Sequence, residues 1–217
     1  MTQRKTVIAP LEVTWITVFA IVLVWSGIGP KDTATWMLEV APAIAGAAIL
    51  LATRQRFPLT QLAYGLILVH CVILMVGGHY TYAEVPVGDW FRELFDPPRN
   101  NYDKLGHLAQ GFIPAIITRE VVIRLEVFNS ARWRNFFIVC FCLAVSAFYE
   151  LVEWWVALYS DEAADAFLGT QGYIWDTQSD MLLALIGAVL ALVLLGRAHD
   201  RQLAALNKTP ARNQESV

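Results

Sequence analysis

Apolar residues in this chain gather into six runs, and charged and turn-forming residues collect in the breaks between them. The runs extend over Leu11–Gly29, Trp36–Thr53, Gln61–Gly78, Tyr102–Arg124, Asn135–Leu158 and Thr177–Gly196. A helix needs about 20 such residues to cross the roughly 30 Å hydrocarbon core of a bilayer, so each run predicts a membrane-spanning helix. The fourth is the least hydrophobic. The first follows Arg4 and Lys5 as a signal peptide would, but it is long enough to span and lacks an Ala-x-Ala cleavage site, which predicts an uncleaved span. Between the third and fourth runs, Pro86, Gly88, Asp89, Pro97 and Pro98 predict a loop, with an interfacial turn over Trp90–Phe95. Beyond the sixth, the chain is expected to stay helical to Leu206, and the polar segment 207–217 predicts a disordered tail. No internal repeat or linker divides the rest, so residues 1–206 read as one all-α, six-span membrane domain.

The charges give this map an orientation. With six spans and the N-terminus inside, the inner segments hold Arg4, Lys5, Arg54, Arg56, Arg119, Arg124, Arg132, Arg134, Arg197, Arg201, Lys208 and Arg212, which is 12 of the 16 Lys and Arg. Only Lys31, Arg92, Arg99 and Lys104 fall outside. Positive residues are retained on the cytoplasmic side, so both termini are expected in the cytoplasm. Trp15, Trp36, Trp90, Trp154, Trp155 and Trp175 lie near span ends or in loops, where interfacial aromatics belong.

Composition agrees. Of 217 residues, 57% are hydrophobic and 16% charged, with a mean hydropathy of +0.48. That is too apolar for an ordinary soluble domain. The net charge of -3 gives no basic surface for nucleic acid, and the bilayer is the first partner. Cys71, Cys140 and Cys142 lie in apolar runs without metal-site spacing and read as small buried residues.

Against this background the acidic residues stand out. His79 closes the third span, Asp103 and His107 open the fourth, Glu150 and Glu153 lie in the outer part of the fifth, and Asp176 and Asp180 open the sixth. The topology therefore sends all of them to one outer layer. Asp103 and His107 are four apart, as are Asp176 and Asp180, so each pair shares a helix face, and Gln110 continues the His107 face. Glu150 lies eight residues inside its span, roughly 12 Å deep. A carboxylate at that depth needs a partner or a water-filled cavity.

Three readings are open at this point. In the first, His107 with Asp103, Asp176, Asp180 and His79 holds a divalent metal such as zinc, and Glu150 and Glu153 act as catalytic carboxylates or further ligands. Such a site would activate water against a lipid-linked or envelope substrate at the outer leaflet, as a hydrolase or transferase does. In the second, the same groups relay protons or bind a coupling ion in a small-solute or ion transporter. In the third, the protein is a non-catalytic envelope or partner-binding protein. Asp103 and Asp176 would then cap helices, Lys104 would neutralise a carboxylate, and His107 would pair with Glu150 as a structural contact. His70 reads as an interhelical donor and His199 as a tail residue without a role. Gly46, Ala47, Gly65 and Gly187 read as points of close helix packing. The loop 160–173 reads either as a lid or as a connection.

Three motifs carry a family resemblance: Tyr102-Asp103-Lys104-Leu105-Gly106-His107-Leu108-Ala109-Gln110-Gly111-Phe112, then Tyr149-Glu150-Leu151-Val152-Glu153-Trp154, then Gly169-Thr170-Gln171-Gly172-Tyr173-x-Trp175-Asp176-Thr177-Gln178-Ser179-Asp180. In these the chain resembles the YjdF-like bacterial inner-membrane proteins over nearly all six spans, which implies a multi-pass protein of the bacterial inner membrane. A fainter similarity links it to VanZ-like membrane proteins, whose spans begin with Asp-Lys-x-Gly-His and Asp-x-x-x-Asp/Asn. That likeness reaches Asp103, His107, Asp176 and Asp180 only, and implies a role at the cell envelope.

Overall fold

The computed structural model is all-helical and describes residues 10–95, 99–159 and 173–208. Seven α-helices are present among them: α1 (Pro10–Ser26), α2 (Thr33–Thr53), α3 (Gln61–Tyr80), α4 (Pro86–Phe95), α5 (Tyr102–Arg124), α6 (Ala131–Tyr159) and α7 (Asp176–Lys208). The six apolar runs each correspond to one long helix. Four of these meet the length and apolarity needed to cross a membrane: 33–53, 61–80, 131–158 and 176–206. The apolar helix α1 is shorter, at 17 residues, and α5 carries too many polar groups to qualify. The segment expected to be a loop holds a full helix, α4, whose Val87, Trp90 and Leu94 form an exposed apolar stripe of the interfacial kind.

Local chemistry sets several of the boundaries. The Thr35 amide donates to the Asp32 carboxylate at 2.6 Å, capping α2 and holding that carboxyl below its usual range. The hydroxyl of Thr60 caps α3 in the same way, accepting from the Ala63 amide. Arg54 follows the end of α2, where the chain turns toward Pro58.

Helix α5 lies at the centre, packed against α3, α6 and α7. It is the least apolar long helix because protein, not lipid, surrounds it, and its polar side chains find partners there. Its closest neighbour is α7. A Cβ on Gly111 would overlap the Ala184 carbonyl, and one on Gly187 would overlap the Leu108 carbonyl, so the two backbones touch where glycine is present on both. Gly187 thus packs closely as expected, whereas Gly46 and Gly65 face open space. One apolar cluster joins α2, α3 and α5 around Met75 and Ile113, and another joins α5, α6 and α7 around Ile116 and Ile138. Outside the clusters large apolar side chains point outward, Phe136, Leu151, Val193 and Leu194 among them, as a lipid-facing surface requires. Cys71 and Cys142 are buried as expected, but Cys140 is on the outer face.

Most of the expected loop 160–173 and the tail from residue 209 lie outside the described residues.

Candidate functional site

The starts of α5 and α7 lie side by side and, with Glu150 of α6 and Arg99 just ahead of α5, bring four acidic groups and two cations to one layer. Arg99, just ahead of α5, bridges the carboxylates of Asp103 and Asp176, the latter at 2.6 Å. Burial works against the Arg99 charge, but the two carboxylates outweigh it and hold the guanidinium above its ordinary value. Asp103 and Asp176 therefore do more than cap helices: the N-cap of α5 is Asn101, and both aspartates bind Arg99. Lys104 sits 3.7 Å from both Asp176 and Asp180 and donates to the Ser179 hydroxyl at 2.8 Å, the neutralising position expected of it.

One turn deeper the partners run out. His107 Nδ1 lies 3.1 Å from Gln110 Oε1 and 3.7 Å from Glu150 Oε1. His107, Glu150 and Asp180 each bring a ligand atom within 4.8 Å of the others, and Asp103, Asp176 and Asp180 form a second such group. Asp103 Oδ1, Glu150 Oε1 and Asp180 Oδ1 are fully buried with no hydrogen-bond partner among the described residues. Buried carboxylate oxygens of this kind are costly unless something positive meets them. Among the described residues, four carboxylates face only Arg99 and Lys104, an excess of two negative charges when all are ionised.

The two groups differ in their remaining capacity. Asp103 and Asp176 are already engaged by Arg99, whereas Glu150 and Asp180 meet no cation closer than 3.7 Å. Imidazole with two carboxylates is a donor set suited to zinc or manganese. His107, Glu150 and Asp180 are therefore the residues best placed to hold a divalent ion.

Two expected members are placed elsewhere. His79 Nδ1 lies 2.9 Å from the Ser26 carbonyl, and its ring packs on Trp25, so it ties α3 to the end of α1 and joins neither group. Glu153 faces a neighbouring cavity of about 210 Å³, lined also by Glu39, His70, Tyr82, Asp103, His107 and Tyr149. Tyr149 donates its hydroxyl to Glu39 at 3.1 Å. Sequence reasoning missed Glu39, although a single carboxylate inside an apolar run was a visible signal.

It also missed a second polar centre. At the opposite end of α5, Glu120 accepts from the Thr60 amide at 2.9 Å and hydroxyl at 2.7 Å, and from His199 at 3.0 Å. The other ring nitrogen of His199 lies 3.0 Å from Arg119, which also binds Asp200 at 2.7 Å. Arginine can only donate, so His199 accepts at Nδ1 and carries its proton on Nε2, toward Glu120. His199 is thus no tail residue. It is wholly buried, because α7 continues past the sixth apolar run and folds its polar end against α3 and α5.

Comparison with known proteins agrees with the membrane architecture. No solved structure matches the chain. The chain is 50% identical over 183 residues, 84% of its length and 88% of the relative's, to the inner membrane protein YjdF of Escherichia coli (strain K12). Residues 11–201 match the family described as predicted membrane protein (DUF2238). With apolar helices long enough to cross a bilayer and a curated relative in the inner membrane, this is a multi-pass bacterial inner-membrane protein. It belongs to the DUF2238 family.

Proposed function

We propose that the protein is a six-span membrane protein with both termini cytoplasmic, and that His107, Glu150 and Asp180 bind a divalent cation for hydrolysis or group transfer at the outer leaflet. One observation carries this reading: two buried carboxylate oxygens, Glu150 Oε1 and Asp180 Oδ1, lack hydrogen-bond partners beside an imidazole. A divalent cation would balance the two uncompensated charges of the layer. When bound, it would supply a Lewis acid and lower the pKa of a coordinated water. Glu153, one helical turn from Glu150 and facing the cavity, is placed to take a proton from an attacking group. Gln110 fixes the His107 ring, while Arg99 and Lys104 hold Asp103 and Asp176 in place. The positive-residue bias of the sequence supports placing this layer on the outer side. A lipid-linked or envelope substrate would reach it there.

The enzyme reading is favoured over transport by the far end of α5. There Glu120, His199, Thr60 and Arg119 satisfy one another in a closed, buried network, which leaves no polar path among the described residues.

The test is metal content by mass spectrometry on detergent-purified protein. Near-stoichiometric zinc or manganese is expected in the wild type, with loss in His107→Ala and Asp180→Asn. Wild-type protein that stays metal-free after incubation with added divalent ions would refute the reading.

A further inference from the structure

The cavity beside the polar layer has its own chemistry. It runs from Tyr82 and Asp103 down to Pro114, and the eleven positions from Asp103 to Pro114 correspond to a depth of roughly 16 Å along α5. Its deeper walls carry Pro42, Leu74, Pro114 and Val145, with His70 and Gln110 among them. No Lys or Arg is found among its described lining residues. Yet Glu39 of α2 and Glu153 of α6 both line it, 3% and 8% exposed. Glu39 has the Tyr149 hydroxyl as a partner. Glu153 has no hydrogen bond or ion pair with any described residue. A carboxyl group more than nine-tenths buried, lining a cavity without a counter-charge among the described residues, is stabilised either by a proton or by a cation that enters from outside the chain.

The shape and lining narrow the kind of cation. A bare metal ion seeks several hard ligands close to one another, and neither Glu39 nor Glu153 belongs to such a group among the described residues, while aromatic rings and apolar side chains share the walls with them. Carboxylates combined with Tyr rings and an apolar floor recognise an ammonium group attached to carbon, because the charge meets the carboxylates and ring faces while the hydrocarbon meets the apolar wall. We infer that this cavity is a binding site for an organic ammonium ion, held between Glu39 and Glu153 with its hydrocarbon part directed toward Leu74 and Val145. The site borders the proposed metal centre through Asp103 and His107 and shares Glu153 with the proposed chemistry, but binding of the ammonium ion needs no metal. Both a free amine and the amine-bearing headgroup of a membrane lipid offer this chemistry.

The experiment compares choline with its neutral isostere 3,3-dimethylbutan-1-ol by calorimetric titration of the full-length protein in nanodiscs. In phosphatidylglycerol discs, choline is expected to bind about tenfold more tightly than the isostere, a difference that one desolvated charge contact produces. Glu153→Gln and Glu39→Gln, each of nearly the same shape as the wild type, should each remove that preference. Glu150→Gln, which disables the metal centre, should retain it, so the two proposals fail independently. Repeating the titration in phosphatidylethanolamine discs separates the sources: suppressed choline binding marks the lipid headgroup as the natural occupant, and unchanged binding marks a free amine. Equal binding of choline and the isostere to wild-type protein, or no choline binding at millimolar concentration, would overturn the inference.

Discussion

The Glu120–His199 pair illustrates how single residues divide between holding this protein together and serving its site. Both are wholly buried, and every polar atom they present is answered by Thr60, Arg119 or Arg124. Removing one member strands the others. Glu120→Ala is expected to destabilise the protein by about 3 kcal/mol or more, read as a lower thermal midpoint in detergent, while metal and choline binding by the folded fraction stay unchanged. Unaltered stability would show that the network is dispensable. At the other end the pattern inverts, since Asp180 has a buried oxygen with no partner. Asp180→Asn should therefore leave stability within about 1 kcal/mol of wild type and abolish metal binding, because an amide relieves charge without emptying the site. The sequence made Asp103, His107, Asp176 and Asp180 legible because each pair is spaced four apart on one helix. Glu39 and Glu120 have no such spacing, and His199 was hidden because a polar segment beyond an apolar run looks like solvent-exposed tail. The packing of α7 against α3 and α5 gives Glu120 and His199 their surroundings, and Glu39 finds its partner in Tyr149 of α6.

Among the elements, the α5–α7 pair does most to set the geometry, because its separation fixes the distance between His107 and Asp180. Gly111 and Gly187 let the backbones touch. Gly111→Leu would push a side chain into the Ala184 carbonyl, and the expected cost is about 3 kcal/mol together with loss of metal binding. Gly65→Leu, in open space on α3, should be tolerated in both measurements. This contrast was only partly visible in the sequence, where Gly46, Gly65 and Gly187 look alike and only their neighbours differ. Helix positions were legible because apolar runs broken by Pro, Gly and charge define them directly. The helix over 86–95 was not, because Pro86 and Gly88 are turn residues by composition, although proline is well accommodated at the first position of a helix.

As a whole, the molecule is a bundle with one unsatisfied end and one satisfied end among the described residues. The unsatisfied end combines an excess of carboxylates with a cavity, and the satisfied end is closed by Glu120, His199 and Arg119. In the proposed topology the first lies at the outer face. A fluorescent-protein fusion after Val217 should therefore fluoresce, and an alkaline phosphatase fusion within 160–172 should be active. The reverse pair of results would invert the topology and place the site on the cytoplasmic face. The central claim is that His107, Glu150 and Asp180 hold a divalent cation. X-ray absorption at the metal edge of the loaded protein tests it most directly. The expected result is a shell of nitrogen and oxygen atoms at about 2.0–2.2 Å, with imidazole scattering that disappears in His107→Gln. A sulfur shell near about 2.3 Å, or imidazole scattering that survives the substitution, would contradict it.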